Sequence, residues 1–430
     1  MRLLRRPVAA AAALALTLAA GALATASAAA SAPADRAKPA AGSWFTSWAE
    51  SQQDLAPTNL SDQSVRMITH LSEGGQAVRI RIQNTFSPTP LTIDAATAGL
   101  SSGQNASIEG AVRPVTFDGS TKVVIPAGGE VWSDATALTT APQDDVAVSL
   151  SVAGTAPAGR HENAFRTNYL TPAGSGDHAA DPDGSAYTQT TDTTYLVSAV
   201  DVRNPSLKGT IVVFGSSVVD GTGSTVCGTG CTETGDNLRW ADDLARRITT
   251  ELPRNEQLAV ANAGISGTTS SSACPSIPGS YVGLDAATRL DRDVLALHGV
   301  TAVIYYYGTN DLADGCTAAQ ILASYRTVFQ RLHAAGIKVY VTPITPRPGY
   351  TDQNNLDRYT VDSWVDAWDD CTGACDGTMD FDQVIKDPLN PNSINPAYDI
   401  GDGIHCNIAG QQAIADSIPL QLLVSSTKGR

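Results

Sequence analysis

The chain has 430 residues, with 43 acidic against 28 basic side chains and a formal net charge of −15. That balance, with no stripe of lysine or arginine, argues against nucleic acid and anionic membranes as partners. The length allows two or more domains, each with a core of its own.

Residues 1–28 read as a secretion signal. Arg2, Arg5 and Arg6 make a basic start, residues 8–24 form an Ala/Leu-rich apolar run, and Ala26, Ser27 and Ala28 fit a small-residue cleavage site. At about 17 residues, mostly alanine, the run is marginal for a membrane span. The expectation is a secreted, extracellular monomer with no membrane span. Residues 29–42 are Ala/Pro/Ser-rich and are expected to form a disordered leader.

Residues 43–205 are expected to be a β-rich accessory domain. Apolar and polar residues alternate over 78–82 and 146–152, and 121–125 is a further strand-like run. Gly, Pro, Asp and Asn punctuate these runs at short intervals, which suits a sandwich. Residues 171–184 read as a long loop. Gly99, Ser101 and Gly103 match a Gly-x-Ser-x-Gly elbow, but no strand–turn–helix context surrounds them, so they read as a loop. Trp44, Trp48 and Trp132 are candidates for a sugar platform, although aromatics this sparse suit a core better.

From residue 206 to 430 the texture changes. Strands are predicted at 211–214, 258–263, 303–307, 339–343 and 379–381, alternating with helices at 238–252, 285–297, 318–335, 362–368 and 409–423. This alternation implies a parallel sheet covered on both faces, with ligands beyond the carboxyl ends of its strands.

All seven cysteines lie between Cys227 and Cys406. In an exported chain they are expected to be bridged. Cys227 with Cys231 and Cys371 with Cys375 are C-x-x-x-C pairs in Gly-rich loops, each able to close a local bridge. Cys274, Cys316 and Cys406 leave one thiol over. The preferred bridge is Cys274 with Cys316, since both follow motif strands near one end of the sheet. No histidine pattern accompanies the short pairs, so no metal is expected.

Four motifs sit at strand ends or a helix start. Gly215, Ser216 and Ser217 are followed by Asp220 and Gly221; Asn262 and Gly264 come next, then Gly308, Asn310 and Asp311, and finally Asp402 and His405. They supply a nucleophile, a base, an orienter and N–H donors, the set that serine-type ester hydrolysis requires. Ser217 would attack, His405 would act as general base, and Asp402 would orient it, with helix capping as its other role. The N–H groups of Ser217 and Gly264 and the Asn310 side chain would form the oxyanion hole. Asp311 reads as structural, tying loops together.

With these residues in view, the second region resembles the SGNH/GDSL hydrolases, and the chain after its signal resembles their secreted actinobacterial members with a β-rich N-terminal domain. The resemblance implies a flavodoxin-like three-layer α/β/α fold and an esterase, lipase or acetyl-polysaccharide esterase activity without cofactor. The family's first block usually reads Gly-Asp-Ser, and Ser216 stands here at its Asp. The residue after the family's histidine is usually Pro and here is Cys406, while Asn407 and Gly410 fit the usual continuation.

The expected substrate is a small-molecule or polysaccharide ester with a short acyl group. The loops at 222–237, 266–278 and 347–355 are polar and offer no apolar trough for a long chain. Two alternatives stay open. One is an inactive or carbohydrate-binding homologue, which a turn distorted by Ser216 would favour. The other is a glycoside hydrolase or transferase on the same scaffold.

Overall fold

Every residue of the strand Thr210–Gly215 is buried, and its side chains divide between two cores. Ile211 and Val213 face one side, and Val212 and Phe214 face the other. A strand this apolar on both faces must be central, with helices covering each side. That is the arrangement in the computed structural model, which describes residues 44–275 and 283–427. The expected signal, the leader and part of the 266–278 loop lie outside the described residues.

The sheet runs in the order Ala259–Asn262, Thr210–Gly215, Val300–Tyr306, Lys338–Val341, Gly377–Thr378, all parallel. This flavodoxin-like order reverses between Thr210–Gly215 and Val300–Tyr306, and in sheets of this kind ligands bind in the crevice outside the carboxyl ends of the two strands at that point. One face carries α2 (Trp240–Glu251), α7 (Phe381–Ile385), α8 (Ile408–Ser417) and α9 (Leu420–Ser425). The other carries α3 (Ala286–Leu290), α5 (Ala318–Ala334) and α6 (Asp352–Val365). Two short helices, α1 (Ser217–Asp220) and α4 (Thr309–Ala313), follow the two strands at the crevice.

Residues 44–203 hold strands without α-helices. Trp44–Ala49, Val197–Arg203, Val78–Gln83 and Glu130–Trp132 form a four-stranded antiparallel sheet. A seven-stranded sheet centred on Leu60–His70, Asp145–Ala156 and Leu91–Ser101 packs on it across one apolar core. A small third sheet joins Thr194–Tyr195, Gly159–His161 and Asp54–Leu55. The β-rich region also guards the open edge of the parallel sheet. Ser72 Oγ accepts the Val260 N–H on the edge strand at 2.9 Å. An edge strand left with free N–H groups would invite pairing with another chain.

The three tryptophans form no exposed platform. Trp48 is buried in the β core, Trp44 lies under the Arg79 guanidinium, and Trp132 packs edge-on against His298. The bridges Cys227–Cys231, Cys274–Cys316 and Cys371–Cys375 are formed, and Cys406 is free and buried.

Several predicted boundaries move. The helix expected at 362–368 starts at Asp352, where Thr351 and Asn354 form a capping box, and it ends at Val365 before Trp368 turns to a φ of 62°. Its polar first half hides the apolar period. The strand expected at 379–381 is only Gly377–Thr378, because Asp380 caps α7. The last helix breaks before Pro419, which has no N–H to continue it. The helix expected at 285–297 is α3 followed by a π-type turn, Asp291–Leu295.

Candidate active site

Ser217 opens α1 two residues past the strand Thr210–Gly215, in the first turn, where its N–H has no preceding helical carbonyl to receive it. It is 7 % exposed. Asp402 and His405 come from the loop that leads into α8, whose Asn407 caps the helix by accepting the Gly410 N–H. The two segments meet at the carboxyl end of the sheet. His405 Nε2 lies 2.7 Å from Ser217 Oγ, and His405 Nδ1 lies 2.6 Å from Asp402 Oδ2.

The carboxylate sets the tautomer. Asp402 can only accept, so Nδ1 carries the hydrogen and Nε2 is left as acceptor for the Ser217 hydroxyl. Asp402 also accepts the Ile404 and His405 N–H groups at 2.8 and 2.9 Å. Burial pushes its carboxyl up, but the His405 side chain and these two N–H groups outweigh it and hold the pKa below the usual range. Further anchoring comes from an antiparallel bridge between Asp399 and Cys406 and from Gly223, which lies against the Cys406 carbonyl.

Ser216, where the family has Asp, is buried, and its hydroxyl has no hydrogen-bond partner among the described residues. The turn nonetheless brings Ser217 to His405. Instead of a residue-216 carboxylate, the turn has the buried Arg289 beneath it. Its guanidinium donates to Gly215 O and Ala263 O, both at 2.7 Å, and to Asp293 at 3.0 Å. One cation thus ties the strand end before Ser217 to the residue before Gly264.

Gly264 sits where no side chain fits, since a Cβ would lie 2.2 Å from Asp220 N. Its N–H donates to Asn262 Oδ1 at 2.8 Å, so reaching an oxyanion requires it to share or leave that acceptor. Gly308 precedes α4 with a φ of 109°, a conformation that a Cβ disfavours, and so presents Asn310 at the crevice. Asn310 Nδ2 donates to Thr268 O at 2.9 Å, and Arg347 Nη1 donates to Asn310 Oδ1 at 2.9 Å. Those contacts fix the amide's flip and leave its second N–H for a ligand. Asp311 is fully buried and accepts from Ser270 N, Ser270 Oγ and Ser271 N; burial pushes its carboxyl up to about 6.

Ser101 ends a strand of the β-rich region, and its hydroxyl donates to Gly103 O. Two Cys/acid groups come close enough to hold an ion, Cys227 with Cys231 and Glu233, and Cys274 with Asp311 and Cys316, but in each both sulfurs are joined in a disulfide. No helix among the described residues is long and apolar enough to cross a membrane. The sequence motifs assign no role to Arg289 or Arg347, and they contain Asn262 without giving its side chain one. Arg289 had a partial signal, the i, i+4 spacing to Asp293, but that says nothing of the two carbonyls it reaches.

Residues 213–413, slightly under half of the chain, match the model of the GDSL-like Lipase/Acylhydrolase family. The parallel-sheet part of the chain has the SGNH/GDSL hydrolase fold. A comparison with curated proteins finds no match. Among solved structures, the native aryl esterase of M. smegmatis is 19 % identical, covering 50 % of this chain and 99 % of its own at a TM-score of 0.37. Est24, a carbohydrate acetylesterase from Sinorhizobium meliloti, is 18 % identical over 48 % and 94 % at 0.36. The psychrotrophic esterase EstA from Pseudoalteromonas sp. is 19 % identical over 49 % and 93 % at 0.35.

Proposed function

We propose that the chain is a secreted serine-type carboxylic ester hydrolase, with residues 206–430 as its catalytic domain and 43–205 as an accessory domain. The observation that carries this reading is the unbroken hydrogen-bond chain from Ser217 Oγ through His405 to Asp402, at 2.7 and 2.6 Å. Ser217 attacks the ester carbonyl as His405 Nε2 takes its proton. Asp402 stabilises the imidazolium that results. The Ser217 N–H, the free N–H of Asn310 and the Gly264 N–H receive the oxyanion. His405 then protonates the leaving alcohol. Water activated by the same histidine clears the acyl-enzyme, and no cofactor enters the cycle.

Short acyl groups, acetyl to butyryl, are the substrate class, with acetylated carbohydrate as a natural form. Support comes from the polar character of the loops after the motif strands and from Arg347 at the rim. A long chain needs an apolar trough to gain its roughly 0.8 kcal/mol per methylene. Three disulfides suit an oxidising compartment and support the export expected from residues 1–28.

The test is a hydrolysis series over acyl length at fixed leaving group, run on wild type, Ser217→Ala and Ser101→Ala. Ser217→Ala should abolish turnover and Ser101→Ala should leave it intact. Full activity in Ser217→Ala would remove the serine mechanism, and kcat/KM climbing steadily to long chains would make the protein a lipase.

A further inference from the structure

α1 is a single turn of four residues, too short to hold itself in place. The position of Ser217 therefore depends on what grips the rest of that turn. Its last residue, Asp220, is gripped from several sides. Arg239 Nε donates to the Asp220 carbonyl at 2.8 Å. Asp220 Oδ2 accepts from Ser266 Oγ at 2.7 Å, in the loop that follows Gly264. Asp220 Oδ1 faces His161 Nε2 at 3.0 Å.

His161 belongs to the β-rich region, on the strand Gly159–His161, and its side chain is 1 % exposed. Its other nitrogen, Nδ1, lies 2.8 Å from the Ser51 carbonyl oxygen. A carbonyl only accepts, and so does a carboxylate. Both ring nitrogens must then carry hydrogen, which makes His161 an imidazolium in a buried ion pair. The surrounding charges agree. Glu50 and Asp220 are the acids, and His161 and Arg239 the cations, with Arg239 Nη2 3.1 Å from Glu50 Oε1. The small cavity of about 30 Å³ beside them is also lined by Asp242, His70 and Arg166. Asp145 pairs with the last two.

We propose that His161 is a positioning residue for the Ser217 site: its imidazolium fixes Asp220, and through α1 the nucleophile, so that the β-rich region is part of the catalytic unit and not an appended module. This rests on the esterase reading. Burial alone would push the His161 pKa down, but the Asp220 carboxylate, with Glu50 behind it, raises it to about 9. Above that pH the ring loses a proton, one of its two acceptors goes unpaired, and the buried cluster becomes net negative.

The experiment uses the full chain with nitrophenyl acetate and reads kcat and KM from about pH 6 to 10. His161→Gln should keep its near-UV circular dichroism and KM and lose roughly tenfold or more in kcat. Wild type should lose kcat reversibly above pH 9, and His161→Gln should lack that limb. A second variant, His161→Gln with Asp220→Asn, carries no unpaired buried charge; it should regain part of the lost kcat and also lack the limb. A folded His161→Gln with wild-type kcat overturns the proposal, as does an alkaline limb that persists in either variant. Hydrolysis by wild type that survives Ser217→Ala removes the esterase reading and this proposal with it. Ser217-dependent hydrolysis indifferent to residue 161 removes this proposal alone.

Discussion

Gly264→Ala tests the close approach between two loops of the candidate site. The added Cβ would lie 2.2 Å from Asp220 N, 2.6 Å from Asp220 Cα and 2.8 Å from Val219 C, all backbone atoms that cannot rotate away. Ordinary contact begins near 3.5 Å, so the gap between the Gly264 turn and α1 must open by roughly 1 Å. α1 starts with Ser217, whose hydroxyl sits 2.7 Å from His405 Nε2. A displacement of about 1 Å in a reacting group costs about 10²-fold in rate, equivalent to about 2.7 kcal/mol in the barrier. Forcing a methyl into a packed site also costs about 1–3 kcal/mol of stability. Alanine keeps the N–H at 264, so a fall in activity reports displacement and not a missing donor. The expected result is kcat on nitrophenyl acetate down about a hundredfold with KM little changed, near-UV circular dichroism preserved, and a lower urea midpoint. A folded variant at wild-type kcat would refute the reasoning, because the two loops could then part without disturbing Ser217.

Asp402→Asn removes the anion that fixes the His405 tautomer, and kcat should fall by about 10³–10⁴-fold at unchanged KM; a loss under about tenfold would show that another group orients the ring. Titration of the denatured, unreduced protein should find one free thiol per chain, and five or more would disprove the disulfide framework. In the native protein that thiol, Cys406, should react slowly with iodoacetamide at neutral pH, because burial, with Asp399 and Asp402 nearby, pushes its pKa up to about 12. The His161–Asp220 pair makes stability depend on alkaline pH. The folded-state pKa of about 9 lies above the unfolded value of 6.5, so the contribution is full below pH 6.5 and is lost as pH rises through 9. It amounts to ~3 kcal/mol as an order of magnitude, and urea midpoints of wild type should fall across that window while those of the His161→Gln, Asp220→Asn double variant change less.

The class of fold and the residues of the candidate triad are legible in the chain without coordinates, because both are written locally. An apolar strand that breaks at Gly215 into the turn of Ser217, or an Asp402 three residues before His405 at a helix start, is legible within a dozen residues. The alternation of strand and helix then implies a parallel sheet, and a parallel sheet brings successive strand ends to one rim. Boundaries were less legible where local chemistry competed with periodicity, as at the polar start of α6 and before Pro419. Which groups hold that rim together emerges from the packing of distant elements. Nothing near Arg289 in sequence says that it donates to Gly215 and Ala263, 74 and 26 residues away. Nothing near His161 says that it meets Asp220 across 59 residues, between two regions that read as separate domains. A buried charge must find its counter-charge wherever packing brings one, and packing between distant elements is a property of the whole fold, not of any stretch of chain.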